Sequence, residues 1–253
     1  MIAKTDDEIK NLREAGKKMA EVVRAVLAKV GPDVSSWVLE EVARAATARL
    51  GARPSYLNYS EGKKMQKYPA ALCVSINNEI AHSPPRPDKM LRAGDVVSID
   101  FGLEYNGIYM DTACTVGVGA IDKSAQNLLA GTSVALGAAI AAAKVGGYTG
   151  DIGEAVERTA KQFKLGVVEE LRGHGVGAAV HELPYVDNYG HAGEGGKLVE
   201  GMVLALEPIF AERSGDMVDA GDGYTYITKD GSRSAHFEHT VLLTQNGPEI
   251  LTA

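Results

Sequence analysis

The amino-acid sequence predicts an α+β protein built from two similar halves related by pseudo-twofold symmetry. In each half, two stretches with helical periodicity precede segments rich in β-branched residues. The ends of the first two helices also recur in the second half at the same interval: Lys29-Val30-Gly31 returns as Lys144-Val145-Gly146, and Leu50-Gly51 returns as Leu165-Gly166. We therefore expect one duplicated domain over residues 1–253, with a site that both halves form.

The helices of the first half are marked by local signals. Thr5-Asp6-Asp7-Glu8 is a capping box, in which a hydroxyl and a carboxylate each satisfy an amide of the first turn. Apolar residues then recur every three or four positions until Gly31-Pro32 ends the helix. A second helix is expected over residues 35–50. Strands are expected over residues 71–76 and 96–116, where β-branched and aromatic residues lie between Gly and Pro.

The second half predicts the same order of elements. An Ala-rich helix ends near residue 143, and Asp151 and Glu154 are expected to cap the next one, which ends at Leu165-Gly166. Strands are expected over residues 202–210, 224–228 and 236–244. Residues 124–143 carry no charge over a length sufficient to cross a bilayer. Most of them are Ala, Gly, Ser and Thr, which gain little on transfer into lipid, so we expect a helix packed on a sheet and no membrane span.

The balance of charges argues against nucleic acid as a bulk partner. The 253 residues include 26 Lys plus Arg and 33 Asp plus Glu, a formal net charge of −7, whereas a surface that neutralises phosphates needs a basic excess. With 45% hydrophobic and 23% charged residues, the composition is that of a globular protein. We expect a monomer. Any contact with the ribosome is expected to be transient and to use a local patch.

The N-terminal residues and the cysteines indicate a cytoplasmic protein. Asp6, Asp7 and Glu8 interrupt the early apolar core that a secretory signal needs. Cys73 and Cys114 both lie in apolar, strand-like stretches, and two cysteines do not make a disulfide scaffold. A reducing compartment is therefore expected.

Two aspartates are expected to share one face of a hairpin. Asn106-Gly107 predicts a type I′ turn, because both central residues of that turn need positive φ. This register places Asp100 opposite Ala113 and Asp111 opposite Gly102, so the two carboxylates become diagonal neighbours at most about 7–8 Å apart. On an apolar strand face they repel each other unless a cation or a proton intervenes. The alternative is that this face is exposed to water.

The second half adds acids and histidines in similar settings. His174 lies between Gly173 and Gly175, which leave room for a metal or form a turn. Glu207 follows an apolar run, where an acid is costly to bury unless it is paired or coordinated. Glu238 completes a set of two Asp, one His and two Glu. Such a carboxylate-rich set suits a pair of divalent ions.

Seven short motifs carry a resemblance to a known family over essentially the whole chain. They are Cys73-Val-Ser-Ile-Asn77 leading to His82, Leu91-Arg-Ala-Gly-Asp95 leading to Asp100, Asp111-Thr112, Gly173-His174-Gly175-Val-Gly177, His181-Glu182-Leu-Pro184, Glu207-Pro208 and Glu238-His239-Thr240. On these motifs the sequence resembles the type I methionine aminopeptidases of peptidase family M24. The resemblance implies the pita-bread fold, with a curved antiparallel sheet, and removal of N-terminal methionine from nascent proteins and peptides whose second residue is small.

The resemblance also implies roles for individual residues. It implies two divalent ions (Fe, Mn, Co or Zn) with Asp111 and Glu238 bridging both, Asp100 chelating one, and His174 and Glu207 completing the other. It implies that Glu207 acts as general base and that His82 and His181 contact the scissile amide. The substrate methionine would contact Tyr68, Cys73 and Tyr224, with His82 and His181 beside it. From the residues alone, the alternative is that the two histidines are structural or lie at the surface, and that the pocket residues are ordinary core.

Some features depart from the family pattern. Ser83-Pro84-Pro85 follows His82 where the family usually has a Gly, so the conformation of that loop is open. His236 lies on the same strand face as Glu238, as a hydrogen-bond donor to the site or a bystander, while His191 and His239 are expected to be structural. The charges between Glu207 and Glu238 are mixed, which argues against a basic ribosome-docking loop there.

Three other functions stay open. The first is an Xaa-Pro peptidase of the same fold, which shares the five ligands. The second is a catalytically silent pita-bread protein that only binds peptides or RNA. The third is a nucleotide-binding protein, since Gly173-x-Gly175-x-x-Ala178 resembles a dinucleotide loop, but the helix that such a loop requires is not expected after it.

Overall fold

The computed structural model describes residues 1–60 and 66–253. Four helices lie within these ranges: α1 (Asp6–Leu27), α2 (Ser36–Arg49), α3 (Lys123–Ala142) and α4 (Thr149–Phe163). The predicted capping box begins α1, because the Thr5 hydroxyl accepts from the Glu8 amide at 3.2 Å and Glu8 Oε2 accepts from the Thr5 amide at 3.0 Å. Two helices followed by strands occur in each half, as the sequence predicts.

The strands of these ranges are short apart from one central hairpin. They are β1 (Arg53–Pro54), β2 (Leu72–Ile76), β3 (Glu79–Ala81), β4 (Val96–Tyr105), β5 (Ile108–Gly117), β6 (Gly166–Val167), β7 (Gly173–Gly175), β8 (Glu182–Val186), β9 (Val203–Leu206), β10 (Ile209–Ala211), β11 (Met217–Asp219), β12 (Tyr226–Thr228), β13 (Ser234–His236), β14 (His239–Thr244) and β15 (Gly247–Ile250). The described strand pairs are all antiparallel. They form four adjoining sheets: β4 with β1, β2 and β5; β15-β14-β9-β7-β8; β13-β10-β6; and β11-β12-β3.

The central hairpin has the predicted register. Asn106 and Gly107 have φ of 51° and 78°, as a type I′ turn requires. Asp100 pairs with Ala113, and Gly102 pairs with Asp111. The prediction from the turn alone is therefore confirmed over the whole ladder of ten residue pairs.

Other elements begin or end differently from the prediction. The strand expected over residues 202–210 is interrupted at Glu207-Pro208, because proline has no amide to donate to a ladder. The strand expected over residues 236–244 is interrupted by two residues between β13 and β14. Helix α4 begins at Thr149, where Asp151 Oδ2 accepts from the Tyr148 amide at 2.8 Å. Glu154 lies in the second turn of α4, so its predicted capping role is wrong.

Each pair of helices covers its own hydrophobic core. Helices α1 and α2 pack with β4 and β5 around Leu12, Leu39 and Phe101, whereas α3 and α4 pack with β9 and β14 around Leu128, Ile152 and Val241. In the part of the chain that the structure describes, only α3 is long and apolar enough to cross a membrane, and 39% of its apolar window is buried inside the molecule. Its buried face lies in the second core, as expected for a helix packed on a sheet.

The two halves are joined by hydrogen bonds between β5 and residues 238–240, at the beginning of β14 and just before it. The Thr112 hydroxyl donates to Glu238 O at 2.6 Å, and the Glu238 amide donates to Ala113 O at 2.8 Å. The Thr240 hydroxyl donates to Asp111 O at 2.7 Å and accepts from the Asp111 amide at 3.1 Å. These bonds place an acid of the first half beside an acid of the second.

A buried carboxylate fixes the start of β2. Glu40 on α2 is 0% exposed, and its two oxygens accept from the amides of Ala71 and Leu72 at 2.8–3.2 Å and from the Arg44 guanidinium. Strand β2 begins here, and its second residue, Cys73, pairs with Asp100 of β4.

We expect Glu40→Ala to lower the free energy of unfolding by about 3 kcal/mol, since the buried amides of Ala71 and Leu72 lose their acceptor. Urea unfolding followed by circular dichroism measures this change. Glu41→Ala, which removes an exposed carboxylate from the same helix, is the matched control and should change stability by less than about 0.5 kcal/mol. Equal stabilities of the two variants would contradict this role for Glu40.

Candidate metal centre

Five side chains from distant parts of the chain are among the acids and histidines that line one cavity of about 290 Å³. They are Asp100 on β4, Asp111 on β5, His174 on β7, Glu207 after β9 and Glu238 after β13. These are the five residues that the sequence analysis expects to converge. The structure brings all of them together.

The register of the strands explains why they meet. In the first half, the hairpin makes Asp100 and Asp111 diagonal neighbours. In the second half, β10 pairs with β13 so that Ile209 faces His236, which places Glu207 and Glu238 side by side just beyond the ladder. His174 pairs with Ala205, two residues before Glu207. The hydrogen bonds between β5 and residues 238–240 then join the two sets.

Candidate ligand atoms fall into three overlapping groups, each with its atoms within 4.8 Å of one another. The groups are Asp100, Asp111 and Glu238; His174, Glu207 and Glu238; and Asp111, His174 and His181. His174 Nε2 lies 3.6 Å from Glu207 Oε1 and 3.9 Å from Asp111 Oδ2. Asp111, His174 and Glu238 each belong to two groups, and of these only the two carboxylates have a second oxygen with which one residue can contact two ions.

The cluster concentrates negative charge in a buried place. The exposed fractions of Asp100, Asp111 and Glu238 are 6%, 3% and 2%. Burial raises the pKa of Asp111 well above its usual value, and the neighbouring Asp100 carboxylate raises it further. Burial also raises the pKa of Glu207 well above its usual value, and repulsion from Asp100 raises it further. Burial raises the pKa of Glu238 in the same way, with added repulsion from Asp111. Such a site binds protons or cations.

The histidine chemistry fits a metal ion better than a proton. Burial, with repulsion from His181, lowers the pKa of His174 to about 3, so its imidazole is neutral. Its Nδ1 lies 2.9 Å from Gly175 O and therefore carries the hydrogen, since a carbonyl oxygen only accepts. Nε2 is left with a lone pair directed toward Glu207 and Asp111, as in metal-binding histidines held by a backbone carbonyl.

Buried atoms without partners point to the same conclusion. Among the described residues, Glu238 Oε1 and both ring nitrogens of His236 are buried and make no hydrogen bond. His236 Nε2 lies 3.4 Å from Glu207 Oε2 and 3.9 Å from Glu238 Oε2, so this histidine faces the cavity. Carboxylate and imidazole donors with unsatisfied atoms fit divalent metal ions.

His82 and His181 lie between this cavity and a second one. Both residues line both cavities. The Tyr59 hydroxyl contacts His181 Nδ1 at 2.9 Å, and the His181 ring stands edge-on to that of His174 at 4.4 Å between centroids. His82 adopts the left-handed region at φ 57° and lies 5.6 Å from the Tyr226 ring. The predicted pair therefore flanks the candidate metal ligands.

Buried polar contacts anchor Ser83, the residue that follows His82. Ser83 is 0% exposed, and its hydroxyl accepts from Lys89 Nζ at 2.6 Å and from the Thr225 hydroxyl at 3.3 Å. Lys89 also donates to Val74 O at 2.6 Å and pairs with Glu79. A buried ammonium thus holds the loop that carries His82 through the hydroxyl of Ser83.

The second cavity is aromatic and has a volume of about 160 Å³. The predicted pocket residues Tyr68, Cys73 and Tyr224 line it, and the rings of Tyr68 and Tyr224 stand edge-to-face at 5.8 Å. Its wall also contains three tyrosines that the sequence motifs do not predict as pocket residues: Tyr56, Tyr59 and Tyr226. The feature of the sequence that relates to Tyr56 is Gly102. Because glycine has no side chain, it leaves room for the Tyr56 ring beside Asp111.

Two other histidines lie elsewhere. His239 Nδ1 contacts the Thr252 hydroxyl at 2.9 Å, and His191 lines a separate shallow cavity with Thr149 and Asp187. Neither lines the two cavities described above. No helix follows Gly173–Gly175 directly, because β7 continues into β8, so the structure opposes a dinucleotide-binding loop.

Comparisons with known proteins identify relatives over the whole chain. The model of metallopeptidase family M24 matches residues 10–245. The chain is 45% identical to the methionine aminopeptidase of Aquifex aeolicus, covering 97% of this chain and 96% of that protein. It is 38% identical to methionine aminopeptidase 1 of Mycobacterium tuberculosis, covering 97% and 92%.

Solved structures agree with these relatives. The methionine aminopeptidase of Thermotoga maritima superposes with a TM-score of 0.95 at 39% identity, covering 100% of this chain and 99% of that one. The prolidase of Pyrococcus furiosus has a TM-score of 0.78 at 23% identity, and this chain covers 65% of its length. The second likeness shows the fold alone. The α+β architecture is thus the pita-bread fold that these proteins share.

The raised pKa values predict that divalent ions displace protons. The metal-free cluster holds protons that a cation must expel, so the apparent affinity for Mn²⁺ should rise with pH. Calorimetric titration of metal-stripped protein with Mn²⁺, in buffers of different ionisation enthalpy, should show release of about one proton per ion. Affinity that is independent of pH would contradict this charge assignment.

Proposed function

This chain belongs to metallopeptidase family M24, and we propose that it removes the N-terminal methionine from nascent proteins and peptides whose second residue is small. One observation supports this most strongly: a buried cluster of five metal-ligand side chains opens beside an aromatic pocket of suitable size. The cluster suits hydrolysis, and the pocket suits one apolar side chain. The match to methionine aminopeptidases over nearly the full length of both chains supports the same activity.

Divalent metal ions are the cofactors of this family, and the donor set suits two of them. We assign Asp100 to one ion and His174 with Glu207 to the other, with Asp111 and Glu238 shared. Fe, Mn, Co and Zn all accept such ligands. When bound, the ions supply Lewis acidity, which lowers the pKa of water and polarises the scissile carbonyl.

The protein's own groups handle protons and position the substrate. Glu207 faces the cavity beside the imidazoles of His174 and His236, and it takes the proton of the attacking water as general base. His181, held by the Tyr59 hydroxyl, and His82, held in its loop through Ser83, donate to the scissile amide and to the oxygen that becomes negative during attack. Their position between the two cavities supports these roles.

The aromatic cavity accepts the methionine side chain. Tyr68, Cys73 and Tyr224 form soft, polarisable walls that suit a thioether. Tyr68 is 9% exposed and Cys73 is 3% exposed, so little of either side chain is open to bulk water. The scissile bond would then lie between His82 and His181.

The other functions considered above have less support. An Xaa-Pro peptidase rests on likenesses at 19–23% identity, which show the fold alone. A silent binding protein does not explain the convergence of all five ligand side chains. We further propose that residues 1–253 act as one catalytic domain, as a monomer in the cytoplasm, because both halves line one cavity and both cysteines are free. Contact with the ribosome would be transient.

Metal removal tests the reaction. Metal-stripped protein should not release methionine from Met-Ala-Ser, and adding back Mn²⁺, Fe²⁺, Co²⁺ or Zn²⁺ singly should restore turnover with at least one ion, because the water needs a Lewis acid. Released methionine is measured by chromatography. Full activity without metal would refute the proposal.

Substrate choice separates the two peptidases. The protein should cleave Met-Gly-Met at least 100-fold faster than Ala-Pro under identical metal loading, because the aromatic cavity accepts the methionine side chain. The values of kcat/KM for the two peptides measure this. A preference for the Xaa-Pro peptide would assign the chain to the other activity.

Substitution of His181 tests its role. His181→Ala should lower kcat/KM by about 10²–10³-fold with unchanged metal content, because a donor to the transition state is lost. His191→Ala, outside both cavities, is the control. Metal content by atomic absorption decides between two roles: loss of an ion from His181→Ala would make His181 a ligand, as its closeness to Asp111 and His174 allows.

A further inference from the structure

We propose that Tyr56 is a positioning residue of the metal centre, whose hydroxyl links Asp100 to Asp111 and holds both carboxylates in the orientation that a cation needs. This inference rests on the proposed function, since it concerns the same site. It adds a residue that lies outside the five ligands and both histidines.

The hydroxyl contacts both carboxylates directly. Tyr56 Oη lies 2.8 Å from Asp100 Oδ1 and is also hydrogen-bonded to Asp111 Oδ1. The two acids come from opposite strands of one hairpin, and their charges repel. The one hydroxyl hydrogen is shared between their two Oδ1 atoms, which draws these atoms toward one point. Asp111 Oδ2 lies 3.9 Å from His174 Nε2.

The fold builds a slot for this ring. Gly102 pairs with Asp111, and a Cβ at Gly102 would collide with the Tyr56 ring and with the Ser55 hydroxyl. Strand β1 pairs with β4 through Arg53 and Pro54, and the Ser55 amide donates to Gly102 O at 2.9 Å. The segment before Tyr56 is therefore hydrogen-bonded to the edge of the hairpin.

Other contacts hold the far side of the residue. Tyr56 O accepts from the Tyr59 amide at 2.8 Å, and the ring stands edge-to-face with Tyr68 at 6.5 Å. The ring thus forms part of the aromatic cavity wall while its hydroxyl reaches the carboxylates. The hydroxyl is fixed by backbone pairing and ring packing, so it organises the two acids before a cation arrives.

Loss of such a partner weakens metal sites in a known range. Groups that orient ligands without binding the ion typically contribute about 10–100-fold in metal affinity. Without the hydroxyl, the side chains of Asp100 and Asp111 are freer to rotate apart. Part of the binding free energy of the cation is then used to bring them together, so its affinity falls.

The test compares Tyr56→Phe with Tyr68→Phe by calorimetric titration of metal-stripped protein with Mn²⁺. Tyr68→Phe is the matched control, because Tyr68 belongs to the same ring cluster but donates to Leu72 O at 3.2 Å. We expect the first Mn²⁺ equivalent to bind at least 10-fold more weakly in Tyr56→Phe and within twofold of the unmodified protein in Tyr68→Phe. The visible spectrum of the Co²⁺ form should shift in Tyr56→Phe alone.

Gly102→Ala gives a second, independent variant. This variant retains the Tyr56 hydroxyl but displaces the ring, so it should also bind the first Mn²⁺ equivalent more weakly. Thermal melting checks that each variant is folded. Tyr56→Phe that binds Mn²⁺ within twofold of the unmodified protein would overturn the inference alone. Unmodified protein that binds no Mn²⁺ would overturn the proposed function and this inference together.

Discussion

Mutual repulsion among buried carboxylates is the constraint on which this structure depends. Four acids and a neutral imidazole face one cavity, and burial raises the pKa of every acid in the set. A protein core does not tolerate such a cluster unless protons or cations balance it. The cluster therefore suits divalent ions, and in our proposal its shared carboxylates, Asp111 and Glu238, serve two of them. The rest of the fold holds these charges together against their repulsion.

The hydroxyls of Thr112 and Thr240 provide much of that restraint. They bridge the backbones of the two halves at Glu238 and Asp111, so each half carries part of the site and neither carries all of it. Small threonine side chains suit this place because they donate and accept within the seam without filling the cavity. The duplicated arrangement of helices then covers the outer surfaces, with a separate core for each half.

The groups that would act on the substrate are held by polar contacts of their own. Lys89 is a buried cation bound to Ser83, Val74 and Glu79, and it fixes the loop that bears His82 in a left-handed conformation. His181 is oriented by Tyr59, which belongs to the same tyrosine-rich segment as Tyr56. The segment of residues 56–59, between α2 and β2, therefore contacts the candidate metal ligands and also lines the aromatic cavity.

The sequence by itself determined the helices and the central hairpin, because capping boxes, Gly-Pro stops and the Asn106-Gly107 turn act over a few residues. From that turn alone it also placed Asp100 and Asp111 on one face. The sequence also marked His174, Glu207 and Glu238 as candidate ligands by their settings. The family resemblance then assigned them to the same site as the hairpin aspartates, since nothing local relates His174 or Glu207 to the hairpin. Only the tertiary structure decided that Glu207 and Glu238 lie side by side, that Lys89 anchors Ser83, and that Tyr56 enters the slot beside Gly102. These contacts join residues far apart in the chain, and strand pairing and packing, which sequence periodicity does not encode, set their distances.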